Sequence, residues 1–269
     1  MHRRRFTIAT GSAVAGLVLG GTSLFTHPFA AWTAPASGTS GGAARVAGAA
    51  AEDARLTPRP ANGVKTTLAT GALGLGGERD GVVQMPSTVP DGPLPVMLLL
   101  HGATQSGTRM MSRISAAAEA AGVVVVAPDS RHGTWDAIRG DFGEDVAYLN
   151  RVLTHVFSRV NVDPKRLAIA GFSDGATYAL SLGLANGDLF PHVLAFSPGF
   201  VVGAPGHGHP RFFFSHGTND QILPIGVCSR VIVPQLRGRG FDVTYREFEG
   251  RHELPPEIQA DAFTWWKQA

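Results

Sequence analysis

Cysteine is all but absent from this 269-residue chain, in which Cys228 stands alone. One thiol excludes an intrachain disulfide and any Cys-rich metal site. Charge is also sparse, at 16% of residues, and no basic run recurs in the body of the chain. The formal net charge of +2 rests on Arg3, Arg4 and Arg5, and setting these aside leaves −1. The sequence therefore carries no nucleic-acid footprint. The mildly apolar stretch from Thr7 to Phe25 is short and interrupted by Gly11, Gly16, Gly20 and Gly21, which argues against a stable membrane anchor. Internal repeats are lacking. What is plentiful is apolar side chain, at 44%, together with 34 Gly and 18 Pro. That excludes a disordered chain and supplies the core of one large α/β domain or two small ones.

The N-terminus reads as an address. Arg3-Arg4, one spacer and Phe6 resemble the bacterial twin-arginine signal. Ala34-Pro35-Ala36 fits an A-x-A cleavage site. No Cys lies near it, so a lipoprotein anchor is excluded. We expect residues 1–36 to be an export signal, 37–62 a flexible Gly/Ser/Thr/Pro-rich linker, and 63–269 the catalytic domain. The expected location is secreted or periplasmic, after export in the folded state, with the export machinery as a partner.

The body alternates two periodicities. Val96–Leu100, Val123–Val126 and Leu167–Ala170 are continuous apolar runs, the pattern of strands buried on both faces. Val193–Phe196 and Phe212–Phe214 are further strands, and Phe241–Phe248 alternates as an edge strand would. Between them, Met110–Ala121, Glu144–Val160, Ala176–Ala185 and Ile225–Arg239 have helical patterns, the last with Pro234 as a kink or break. A closing helix spans Pro256–Lys267. This order predicts a mostly parallel sheet with helices on both faces and active loops at the carboxyl ends of the strands.

Gly171-Phe172-Ser173-Asp174-Gly175 follows a buried strand and opens a helix. In that setting G-x-S-x-G is a nucleophile elbow, a sharp turn that lifts the Ser173 hydroxyl above the sheet. Serine needs a histidine base oriented by a carboxylate. His252 follows the last predicted strand and is the candidate base. His207 and His209 flank Gly208, but no carboxylate or cysteine clusters beside them to hold a metal. Asp220, after the strand at 212–214, is the preferred acid, with Asp242, Glu247, Glu249 and Glu253 as rivals. His216 is expected to shape the turn leading to Asp220. Backbone N–H groups of Asp174 and of Ala103, in His101-Gly102-Ala103-Thr104, are candidate oxyanion donors.

These motifs, in this order, resemble the carboxylesterase/phospholipase branch of the α/β-hydrolase superfamily, close to acyl-protein thioesterase-like and poly(3-hydroxybutyrate) depolymerase-like esterases. The resemblance runs from about Arg79 to the C-terminus. It implies an α/β-hydrolase fold, Ser173 as nucleophile, Asp220 as acid, His252 as base, and no metal or organic cofactor. Asp174 stands where that branch commonly has Gln, and Ala176 where a further Gly is common. No insertion long enough for a large lid is evident. Trp135 and Phe200 are candidate walls of an acyl pocket, with a buried core position the alternative for Trp135. The expected partner is a small-molecule, lipid or polymer ester. Polyester depolymerase, feruloyl-type esterase, acyltransferase and a non-catalytic binding protein are the competing readings.

Overall fold

The computed structural model describes residues 54–75 and 77–268; the expected export signal lies outside them. The strands are β1 (Gly71–Ala72), β2 (Gly81–Gln84), β3 (Leu94–Leu100), β4 (Val124–Pro128), β5 (Val162–Phe172), β6 (His192–Phe196), β7 (Arg211–Gly217) and β8 (Val243–Phe248), with apolar runs forming those in the middle of the sheet. They make one sheet in the order β1-β2-β4-β3-β5-β6-β7-β8. The first two pairings, β1 with β2 and β2 with β4, are antiparallel, and every later pairing is parallel. The short β1 and β2 hold no apolar run, and they exist because β4 offers an edge to pair with. Val243–Phe248 is the edge strand expected.

Side chains of successive strand residues go to opposite faces. Val96, Leu98, Leu100, Phe212 and Phe214 enter one core, which also holds α3 (Glu144–Phe157), α4 (Asp174–Ala185) and α5 (Ser229–Gly238). Met97, Leu99 and Phe213 enter the other, with α1 (Gly107–Ala121) and α6 (Pro256–Lys267). A one-turn helix, α2 (Asp136–Arg139), lies in the connection from β4 to α3. Helix α5 starts at Ser229 rather than Ile225 and runs through Pro234.

The stretch expected to be a linker reaches into the core. Ala54 and Leu56 are fully buried. The Asn186 side chain accepts from Leu56 N–H at 2.8 Å and donates to Ala54 O at 2.9 Å. Arg55 and Arg59 both pair with Asp188. The packed body therefore begins well before residue 63. Its first residues lack periodicity because their partners lie some 130 positions away in sequence.

Candidate active site

At the end of β5 the chain turns at once into α4, with Ser173 at the corner. Ser173 has φ 59° and ψ −123°, a region L-residues seldom occupy without surrounding constraint. The constraint is visible. Ser173 N–H donates to Phe196 O at 3.0 Å, and Ser173 O accepts from Ala176 and Thr177 N–H at 2.9 and 3.0 Å. A Cβ on Gly171 would lie 2.1 Å from Gly175 O, and one on Gly175 2.2 Å from Leu100 O. Both motif glycines are thus required by close backbone approach.

Asp220 lies in the turn after β7, its side chain fully buried. Oδ1 accepts from Ile222 and Leu223 N–H at 2.9 and 2.8 Å. Oδ2 is 2.6 Å from His252 Nδ1. Burial opposes the negative charge, but the His252 hydrogen bond and the two amides outweigh it, so the pKa falls below the usual carboxylate value. The β7 and β8 loops meet because Gly217 has no side chain: a Cβ there would lie 2.2 Å from Arg251 O. Thr218 and Asn219 N–H donate across the gap to Phe248 O and Gly250 O, both at 2.9 Å.

Donation from Nδ1 to Asp220 leaves the lone pair of His252 on Nε2. That nitrogen is buried and has no hydrogen-bond partner among the described residues. The ring packs on Phe172, next to Ser173, with centroids 4.7 Å apart. The rival acids are engaged elsewhere or exposed. Asp242 pairs with Arg211, Glu247 with Arg230, and Glu253 accepts from Arg251 N–H; Glu249 is exposed.

The loop after β3 lies against the serine, since a Cβ on Gly102 would be 3.3 Å from Ser173 Cβ. Ala103 follows in this loop. Thr104 N–H donates to Gly133 O at 2.6 Å and Gln105 N–H to Gly102 O at 3.2 Å, which brace it. Asp174 opens α4, so its own N–H has no acceptor within the helix. His101 is a buried strut. Its Nδ1 donates to Gly102 O at 2.7 Å and its Nε2 accepts from Ser130 N–H at 3.0 Å. Burial, aided by nearby Arg79, lowers its pKa and keeps the ring neutral.

Trp135 is not a pocket wall. It is fully buried, donates from Nε1 to His101 O at 2.9 Å and stacks on Tyr178 with centroids 5.1 Å apart. A large aromatic with one donor fits a core position that offers one carbonyl. Phe200 is partly exposed and follows Gly199, whose N–H donates to Thr177 Oγ1 in the first turn of α4 at 2.9 Å. His207 and His209 contact different carbonyls, Ala185 O and Gly240 O, both at 3.1 Å. Cys228 is buried, which pushes its thiol up to about 11.

Two features had no signal in the sequence. Thr134 donates its hydroxyl to Asp174 Oδ2 at 2.6 Å, fixing the carboxylate beside the serine. Asp136 and Asp145 lock the connection from β4 to α3 by accepting each other's N–H, at 2.7 and 2.8 Å. Tyr178 OH adds a 2.7 Å hydrogen bond to Asp136.

A sheet of this order, with the serine elbow where its central strand enters a helix, defines an α/β-hydrolase. An S-formylglutathione hydrolase from Agrobacterium tumefaciens superposes with a TM-score of 0.59 at 18% identity, covering 71% of this chain and 89% of that one. Residues 73–210 match the family described as Putative esterase, and the chain belongs to that family. Among curated relatives, a bifunctional acetylxylan esterase/xylanase from Neocallimastix patriciarum is 34% identical over 159 residues, 55% of this chain and 22% of that protein. A probable feruloyl esterase C from Aspergillus clavatus is 29% identical over 102 residues, 38% of this chain and 36% of that protein. The chain thus spans about a fifth to just over a third of these relatives.

Proposed function

We propose that the protein is an exported serine esterase that hydrolyses carboxylic esters through an acyl-enzyme. The observation that carries this reading is His252: bonded to buried Asp220 through Nδ1, it keeps an unpartnered Nε2 beside the strained Ser173 turn. His252 Nε2 takes the Ser173 proton as Oγ attacks the ester carbonyl. The developing oxyanion is received by the N–H groups of Ala103 and Asp174. The proton then passes from His252 to the departing alcohol, and water cleaves the acyl-enzyme by the same route. Asp220 remains ionised throughout and stabilises the imidazolium. The twin-arginine-like leader supports export in the folded state.

The acetylxylan and feruloyl esterase relatives favour acyl groups carried on plant polysaccharide as substrates. The test is hydrolysis of p-nitrophenyl acetate beside Ser173→Ala, followed by release of acetate from acetylated xylan and of ferulate from methyl ferulate. Ser173→Ala is expected to lower kcat by roughly 10⁶-fold with the fold intact. Equal activity in both proteins would overturn the assignment.

A further inference from the structure

We propose that His216 is a positioning residue for this reaction, holding Asp220 in line with His252 by anchoring the Leu223 carbonyl and setting its Nε2–H against the same carboxylate oxygen. The inference rests on the Ser173–His252–Asp220 reading above and extends it by one residue.

His216 lies near the end of β7 and is fully buried. Its Nε2 is 2.7 Å from Leu223 O and 3.2 Å from Asp220 Oδ2. Both neighbours only accept, so the hydrogen must sit on Nε2. Its Nδ1 is 2.7 Å from Ser229 Oγ, at the start of α5. A neutral ring fits all three neighbours: Ser229 O–H donates to Nδ1, and Nε2–H donates to Leu223 O with Asp220 Oδ2 beside it. Burial, the largest influence on the ring, lowers its pKa and favours that neutral form.

Asp220 thus receives three hydrogen bonds, from two backbone amides on Oδ1 and from His252 on Oδ2, and His216 Nε2 lies against Oδ2 as well. Rotation of the carboxyl group would break bonds on both oxygens, so its direction towards His252 is fixed from three sides. A histidine serving packing alone could be satisfied by Leu223 O. The approach to the oxygen His252 uses, with Ser229 setting the tautomer, ties the ring to the acid rather than to the core.

The experiment compares the full chain with His216→Phe, His216→Gln, Ser229→Ala and Ser173→Ala. Readouts are kcat and KM on p-nitrophenyl acetate and the downfield proton resonance of His252 Nδ1–H. His216→Phe keeps the bulk but removes the donor. It should lower kcat by roughly 10- to 100-fold, the scale of one polar interaction with a charged group, with KM within about twofold. His216→Gln restores a side-chain N–H and should recover part of the loss. Ser229→Ala keeps the ring but frees its tautomer, and should shift or broaden the resonance with a smaller loss of kcat. Wild-type kcat and an unmoved resonance in His216→Phe and Ser229→Ala would overturn the proposal. So would a change in KM alone, or a loss that His216→Gln does not relieve while the resonance stays put. If His216→Phe does not fold, the Gln and Ser229 variants carry the test. Activity surviving in Ser173→Ala would instead sink the triad reading, whereas a silent Ser173→Ala beside a fully active His216→Phe would sink only the role of His216.

Discussion

Single residues around the elbow are constrained by backbone proximity more than by side-chain chemistry. Gly175→Ala drives a methyl group into Leu100 O, which would lie 2.2 Å away, and should leave little soluble protein; soluble yield and circular dichroism check this. Asp174 differs, because its amide and its carboxylate do separate things. The amide is present in any residue, but the carboxylate, held by Thr134 at 2.6 Å, stands beside Ser173. Asp174→Gln should lower the preference for neutral over anionic esters by roughly five- to tenfold, the scale of one partly screened charge. An unchanged ratio of kcat/KM values would dismiss the effect. Thr134 was invisible in sequence because its partner is 40 residues away, whereas Asp174 was legible because the elbow motif fixes its place.

Among the elements, the N-terminal strap has the clearest energetic signature. Arg55 grips Asp188 through both carboxylate oxygens and Arg59 adds a third contact at 2.7 Å. The Arg55 hydrogen bond, foremost, holds the Asp188 carboxyl well below the usual range despite partial burial. A depressed carboxyl pKa stabilises the fold above the unfolded value near 4, and the contribution is lost as pH falls through the folded value. The site is partly exposed, so its worth is modest. Asp188→Asn should lower Tm by about 2–4 °C at pH 7, with the difference shrinking under strong acid. A thermal scan across pH checks both statements. The major strands and helices were legible because apolar runs and 3.6-residue spacing are local properties. The closing helix at Pro256–Lys267 needed nothing else. The strap, β1 and β2 were not legible, since each is stabilised by partners supplied by the rest of the sheet and by α4. For the site, order along the chain singled out Ser173, Asp220 and His252, but it could not tell a pocket wall from a core aromatic at Trp135. Only the neighbouring His101 carbonyl and Tyr178 ring make that distinction.

For the molecule as a whole, stability against pH combines opposing slopes. Burial raises Asp145 to about 6, although two backbone amides favour its charge. Between about pH 4 and 6 the folded state thus holds a proton that the unfolded chain has released. Unfolding free energy should fall as pH rises through that window, by up to about 3 kcal/mol from this group. Urea unfolding at pH 4.5 and 7 checks it, and Asp145→Asn should flatten the slope whatever its absolute stability.

The corner at Ser173 has a last consequence, one for heat resistance. A residue at φ 59° and ψ −123° sits about 1–3 kcal/mol above a relaxed backbone, and glycine is nearly indifferent to that geometry. Ser173→Gly should therefore melt a few degrees above the wild type while hydrolysing nothing. The most durable form of this protein would be one that has stopped working, and thermostability screens that do not assay turnover would select it.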